Sequence, residues 1–136
     1  MSGRLVVWAV VVGLAAAWTG RADPETAELA RQKRDAARKT YEVTWTNYLE
    51  GRVPEELVYR WSKRWLRAEE ALSARPDDRI AARTAHLQRM IELERLVRRL
   101  QPLRQVTVDV VSAVEYYRAE AELWLAEAKQ ADKKAP

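Results

Sequence analysis

The sequence contains no cysteine or phenylalanine and very little glycine or histidine. Its 136 residues include one His and four Gly, and three of these glycines fall within the first twenty positions. Without cysteine the chain forms no disulfide framework and no thiolate metal site, and cysteine-based catalysis is excluded. A chain of this length that is rich in Ala, Leu, Arg and Glu is typical of long helices within a single domain.

The first 22 residues have the organisation of a secretory signal peptide. A short basic region precedes an uncharged apolar run over residues 5–18, and small residues follow at Gly20 and Ala22, where a signal peptidase would cleave. The apolar run is short for a membrane span, which needs about 20 residues. Because Arg21 lies inside the proposed cleavage site, an uncleaved N-terminal anchor is the alternative. Both interpretations predict export of the remainder to the periplasm or cell envelope.

The charge balance argues against a nucleic-acid binder. The chain has 24 basic and 20 acidic side chains, and removal of residues 1–22 takes away Arg4 and Arg21, which leaves 22 basic side chains against 20 acidic ones. A dedicated nucleic-acid-binding domain usually concentrates a strong positive charge on one face. We therefore expect no nucleic acid among the partners.

Hydrophobic periodicity and helix-breaking residues divide the remainder into four predicted helices. The first begins at Pro24, and the segment 51–54 ends it and starts the second. A break at Pro76 precedes the third, which extends to about Leu100, and the fourth begins at about Gln105. The predicted buried positions, in chain order, are Ala30, Ala37, Tyr41, Thr44, Tyr48, Val58, Trp61, Trp65, Ala68, Leu72, Leu87, Met90, Ile91, Leu93, Leu96, Val97, Leu100, Val110, Val114, Tyr117, Ala121, Trp124 and Ala128.

The predicted fold class is all-α, with two antiparallel helical hairpins that form a coiled-coil-like bundle of four helices. The first hairpin covers residues 23–74, the second covers residues 75–130, and residues 131–136 form a disordered tail. Positions 51 residues apart repeat part of the first hairpin's pattern in the second. Since neither hairpin has enough surface to bury its own apolar face, we expect the two hairpins to dock.

The turn of the first hairpin resembles a known family. Residues 48–58 read Tyr-Leu-Glu-Gly-Arg-Val-Pro-Glu-Glu-Leu-Val, which is similar to the helical-hairpin tip of TolC-type outer membrane efflux proteins. The resemblance implies a turn that contacts a periplasmic adaptor, formed by Gly51, Val53, Glu56 and Leu57. Unlike that family, the chain lacks membrane strands and tunnel-length helices, so it is not a channel by itself. It is also similar to small uncharacterised exported bacterial proteins.

Combinations of residues that perform catalysis are scarce. His86 has no carboxylate and no second imidazole three or four positions away, so we interpret it as a structural or surface histidine. Adjacent acids on a helix point about 100° apart and do not converge on a substrate. The sequence also has no phosphate loop, metalloprotease motif or Ser-His-Asp arrangement. We therefore predict no enzymatic activity, no metal and no cofactor.

Two sets of residues are candidates for binding. Arg60, Lys63, Arg64 and Arg67 line one face of the second helix, opposite its Trp and Leu residues. Such a face could bind anionic lipid or a phosphate-rich polymer. We favour a solvated helix face whose arginines pair with acids on neighbouring helices, because the apolar face opposite is needed to bury the hairpin. Tyr59 and Tyr116 lie off the predicted core positions, so we expect both to be exposed in an interaction patch.

These observations favour binding over catalysis. We expect an exported helical-hairpin protein that acts at the cell envelope through a protein partner or self-association, in an efflux-related role if the resemblance holds. The alternative is a protein that binds an anionic membrane surface through the basic amphipathic helix. An enzyme is the third class, and it would need a cleft in which His86 meets acids from another helix.

Overall fold

The computed structural model describes residues 23–103 and 105–134, which are almost entirely helical. The four long helices are α1 (Pro24–Leu49), α2 (Glu55–Glu70), α3 (Pro76–Leu100) and α4 (Val108–Lys134), with one 3₁₀ turn at Gln101–Leu103. These residues include no strand, so the predicted all-α fold of four helices is confirmed. The predicted signal peptide lies outside the described residues. Among the helices that are described, none is long and apolar enough to cross a membrane.

Proline and glycine set the helix boundaries at the start of α1, between α1 and α2, and at the start of α3. Pro24 lies in the first turn of α1 and Pro76 in the first turn of α3, where a missing backbone amide removes no helical hydrogen bond. Gly51 follows α1 with φ +69°, in the left-handed region that glycine adopts without steric cost. Pro54 then precedes α2, whose first turn carries two glutamates near the positive end of the helix dipole.

The connection between α3 and α4 is longer than the sequence predicts. We expected the fourth helix from about Gln105, whereas α4 begins at Val108. Pro102 has no backbone amide to donate, and the β-branched residues Val106 and Thr107 have low helix propensity. Together these residues delay the restart of the helix.

The C-terminal end of α4 differs from the predicted disordered tail. The helix continues through residue 131 and ends at Lys134. No glycine or proline interrupts this stretch, and Lys133 and Lys134 lie in the last turn, where positive charge stabilises the negative end of the dipole. The helix therefore includes residues 131–134 of the predicted tail.

The helices form two antiparallel hairpins that are joined through α2. α1 packs against α2, α3 packs against α4, and α2 also contacts both helices of the second hairpin. Arg34 on α1 lies 3.6 Å from Glu69 near the end of α2, and Arg98 on α3 lies 2.6 Å from Glu115 near the start of α4. Among the described helices, α1 makes extensive contacts with α2 alone, so much of its surface carries no helical neighbour.

The core lies where α2 meets the second hairpin. Its location shows that the predicted exposure of Tyr59 was wrong. The fully buried apolar side chains are Val58, Met90, Leu93, Val97, Val114 and Ala121. Tyr59, which we expected at the surface, is buried: only 8% of it is exposed. Its ring stacks on Tyr117 with centroids 3.8 Å apart. Its hydroxyl donates to Glu120 on α4. Tyr116 is 59% exposed, as predicted.

The buried surface of helix α2 is wider than the single face, centred on its tryptophans, that the sequence predicts. Trp61 and Trp65 are half-buried, whereas Tyr59, Ser62 and Leu66 are buried. Because α2 contacts all three other helices, several of its sides are covered. The remaining exposed side is therefore narrow, and it carries most of the basic residues.

Candidate functional site

A buried polar cluster lies at the junction of α2 and α3. Ser62 and His86 are 0% and 1% exposed, and the Ser62 Oγ lies 2.8 Å from the His86 Nδ1. Arg89 donates from its Nε to the same Oγ at 2.7 Å. The serine oxygen has two lone pairs, so beside the Arg89 hydrogen bond it can either donate its own hydrogen to Nδ1 or accept one from it. The geometry therefore fits both tautomers of the neutral imidazole.

The environment of His86 keeps the imidazole neutral. Its Nε2 is buried without a hydrogen-bond partner among the described residues, and its ring stacks on Trp124 with centroids 5.7 Å apart. Burial, together with the positive charges of Arg89 and Lys63, lowers the pKa of His86 to about 3. A buried ring nitrogen without a partner costs free energy in either tautomer, and the cost rises when the imidazole becomes charged, because both nitrogens are then donors.

The Ser62 and His86 pair lacks the environment of a catalytic nucleophile and base. Such a pair needs access to substrate, a histidine pKa near the working pH and a third group that orients the imidazole. Ser62 is fully buried and accepts a hydrogen bond from a cation, and in the described part of the chain no carboxylate bonds to His86. We conclude that the cluster is a polar connection between α2 and α3.

Arg89 extends this cluster to α1. Its guanidinium lies 4.1 Å from the ring centroid of Trp65 and 5.4 Å from that of Tyr41. Burial lowers the pKa of Arg89 to about 10, so it remains charged at neutral pH. Stacking on two aromatic rings replaces part of the lost hydration. Beside it runs a cleft of about 400 Å³ that also contains the carboxylates of Glu69 and Asp78.

The predicted basic face lies at the surface, but its side chains do not pair with neighbouring helices. Three of the four arginine and lysine residues are exposed, and Lys63 is half-buried with its Nζ 3.9 Å from the Tyr59 ring centroid. Arg60 pairs within α2 with Glu56 at 2.7 Å. Arg64 stacks on Trp61 at 4.4 Å. The ion pairs between helices that the solvated-face interpretation predicts are therefore not formed by these residues.

A groove runs beside this face, between α1 and α2. It encloses about 420 Å³ and is lined by Lys33, Ala36, Ala37, Thr40, Trp61, Arg64 and Arg67. We call it the cationic groove. Over residues 23–103 and 105–134, no carboxylate lies within 4.0 Å of its three cations. A cationic rim over an apolar floor fits a ligand that joins an anionic group to an apolar one.

The sequence predicts the cations on the α2 side of the cationic groove but not the residues on its α1 side. Arg64 and Arg67 stand out because they belong to a run of cations at helical spacing. Lys33, Ala36 and Thr40 lie on an α1 face that resembles any solvated helix. Their role appears only once the packing of α1 on α2 is known.

Of the four predicted turn residues, Gly51 and Val53 lie between α1 and α2, whereas Glu56 and Leu57 lie in the first turn of α2. Gly51 and Glu56 are exposed, and Val53 and Leu57 are half-buried. Two backbone hydrogen bonds close the turn, from the Gly51 amide to the Tyr48 carbonyl at 2.9 Å and from the Arg52 amide to the Asn47 carbonyl at 2.8 Å. Val53 and Leu57 are therefore less accessible to a partner than Gly51 and Glu56.

Comparison of the chain with family models, curated proteins and solved structures finds no match. In the part of the chain that the structure describes, no group of three or more His, Asp or Glu side chains could hold a metal ion. The resemblance to TolC-type hairpins stays a prediction, because no relative bears on it. The cationic groove and the charges around it are therefore the features of the molecule that bear on its function.

Proposed function

We propose that this chain is an exported, non-enzymatic protein that acts by protein-protein contact at the cell envelope, with the cationic groove as its contact surface. The observation that supports this proposal is the set of three cations around an apolar floor, none of which has a carboxylate within 4.0 Å in the described part of the chain. Arg64 and Arg67 are neighbours on one helix face and repel each other in the free protein. Carboxylates from a partner would relieve this repulsion and bury the floor.

The proposal is tested by photo-crosslinking in cells that produce the full-length chain. A photoreactive residue replaces Thr40, which lines the groove, or Thr84, an exposed residue on α3. The two threonines are matched, since the hydroxyl of each donates at 2.8 Å to the backbone carbonyl four residues earlier. We expect a discrete crosslinked product from position 40 and none from position 84.

Charge reversal in the groove provides the specificity control. Lys33→Glu combined with Arg64→Glu is expected to abolish the product from position 40, because both substitutions replace attraction with repulsion. No product at position 40, or equal products at positions 40 and 84, would contradict the proposal.

The second candidate function is attachment to an anionic membrane surface. The exposed cations of α2 and the half-buried Trp61 are the residue types that lie at a lipid headgroup layer. Co-sedimentation with vesicles should then require anionic lipid and weaken as salt rises from about 0.05 to 0.5 M, because added ions screen the attraction. Equal binding to neutral vesicles would exclude this mechanism.

An efflux-related role is the most specific version of the proposal, and it depends on the hairpin turn. Gly51 and Glu56 are the turn residues that an adaptor would reach first, since both are exposed. A photoreactive residue at position 52 should then crosslink to an efflux adaptor. If it does not while position 40 gives a product, the contact surface is the groove and not the turn.

A further inference from the structure

We infer that the cationic groove binds the outer face of α4 from a second copy of this chain. This inference rests on the proposed function, because it names the partner of the same groove.

Helix α4 presents an exposed apolar stripe with acidic edges. Tyr116 and Leu123 are 59% and 57% exposed and lie seven residues apart, on the same side of the helix. Residues 108–127 include five carboxylates and a single cation, Arg118. Glu115 and Glu122 already pair with Arg98 and Arg118, and Glu120 accepts hydrogen bonds from Tyr59 and Tyr116. Glu127 forms no ion pair among the described residues, and it lies eleven positions after Tyr116, which places it on the same side of the helix. It is therefore the carboxylate of this face that can meet the cationic groove.

The stripe and the groove have matching lengths. Seven residues of helix separate Tyr116 from Leu123, which corresponds to about 10 Å. The α1 wall of the groove extends from Lys33 to Thr40, which is also seven residues. Two aromatic and aliphatic side chains one heptad apart are the usual anchors when a helix docks into a groove.

The two surfaces adjoin each other in one molecule. Arg67 lines the cationic groove and also a second depression, whose other residues include Trp124 and Glu127 of α4. The basic face of α2 therefore borders the acidic side of α4. Because one surface contains both the cationic groove and the outer face of α4, two copies can pair about a twofold axis, with α4 of each copy in the groove of the other.

Sedimentation equilibrium of the purified protein tests this dimer. We expect the mass of two copies at micromolar concentration and a Kd that rises at least about tenfold between 0.05 and 0.5 M salt. Lys33→Glu with Arg64→Glu should raise the Kd by at least about tenfold, and so should Glu127→Lys. A matched reversal on α3, Arg95→Glu with Arg99→Glu, should leave the Kd unchanged.

Mixing the two groups of variants separates specific pairing from lost folding. An equimolar mixture of the groove-reversed and α4-reversed proteins should form dimers again, because opposite charges then meet across both contacts. Dimers that tolerate both reversals would overturn the assigned surface. A monomer at all concentrations would overturn the inference. If position 40 then crosslinks to a different protein, the proposed function stands without self-association, and if it gives no product, both fail.

Discussion

The buried imidazole of His86 should make the free energy of unfolding depend on pH between 7 and 5. The pKa of this group is about 3 in the folded protein, against an ordinary value of 6.5. Between these two values the unfolded chain binds a proton that the folded chain rejects. The free energy of unfolding therefore carries no penalty from His86 well above pH 6.5, and it decreases as the pH falls from 6.5 toward 3.

The size of the effect follows from these two pKa values. Each pH unit well inside the window costs about 1.4 kcal/mol, so lowering the pH from 7 to 5 should cost about 2 kcal/mol. This is a large share of the 5 to 15 kcal/mol that stabilises an ordinary domain. His86 is the only histidine in the chain, and the ordinary pKa values of carboxylates lie below this range. His86 is therefore the only side chain whose ordinary pKa lies inside the window, and a variant without the imidazole measures the share of the carboxylates.

Urea denaturation followed by circular dichroism at pH 7, 6 and 5 measures this dependence. His86→Asn is the matched variant, because its amide oxygen can accept the Ser62 hydrogen bond while the group does not titrate. The variant should be less stable at pH 7, since it leaves a cavity, but its stability should vary little between pH 7 and 5. A wild-type change below about 0.5 kcal/mol, or an equal change in His86→Asn, would refute the buried neutral imidazole.

Three further substitutions test other parts of the fold by the same denaturation assay. Tyr59→Phe should cost about 1 to 2 kcal/mol, because it removes a buried hydrogen bond to a carboxylate, whereas Tyr116→Phe at the surface should cost under about 0.5 kcal/mol. Equal losses would contradict the burial of Tyr59. Gly51→Ala should cost about 1 kcal/mol through its positive φ alone, since an added Cβ meets nothing within 4 Å, and Gly51→Asn should cost less. A larger loss for Asn than for Ala would argue against the left-handed turn. Glu94→Gln should cost about 2 kcal/mol, since Glu94 is 8% exposed and binds two arginines, while Glu42→Gln in an exposed pair should change stability by under about 0.5 kcal/mol. Similar losses for the two glutamates would show that burial of Glu94 adds nothing.

The sequence predicts the helices well because their signals are local. Gly51, Pro54 and Pro76 mark turns through their own backbone preferences, and the periodic apolar residues mark the buried faces. The prediction was wrong where local signals compete, as in the stretch from Pro102 to Val108. There, β-branched residues and a proline delay the helix although the apolar spacing continues.

The candidate site was harder to predict because it depends on which helices become neighbours. Tyr59 was expected at the surface, since it lies outside the tryptophan row of α2. It is buried because α4 packs against that side of α2. The hydrogen bond between Ser62 and His86 joins residues 24 positions apart on different helices, and no sequence spacing reveals such a pair.

If the cationic groove is occupied in the cell, the lysine that lines it should be protected there from chemical labelling. Lys33 lines the groove, whereas Lys39 lies on the same helix outside it, and both are exposed in the isolated protein. Cells that produce the full-length chain and the dilute purified protein are treated with the same amine-reactive reagent, and mass spectrometry compares the two sites. We expect Lys33 to be protected in cells while Lys39 reacts equally in both samples. Equal labelling of Lys33 in the two samples would mean that the groove is empty in the cell.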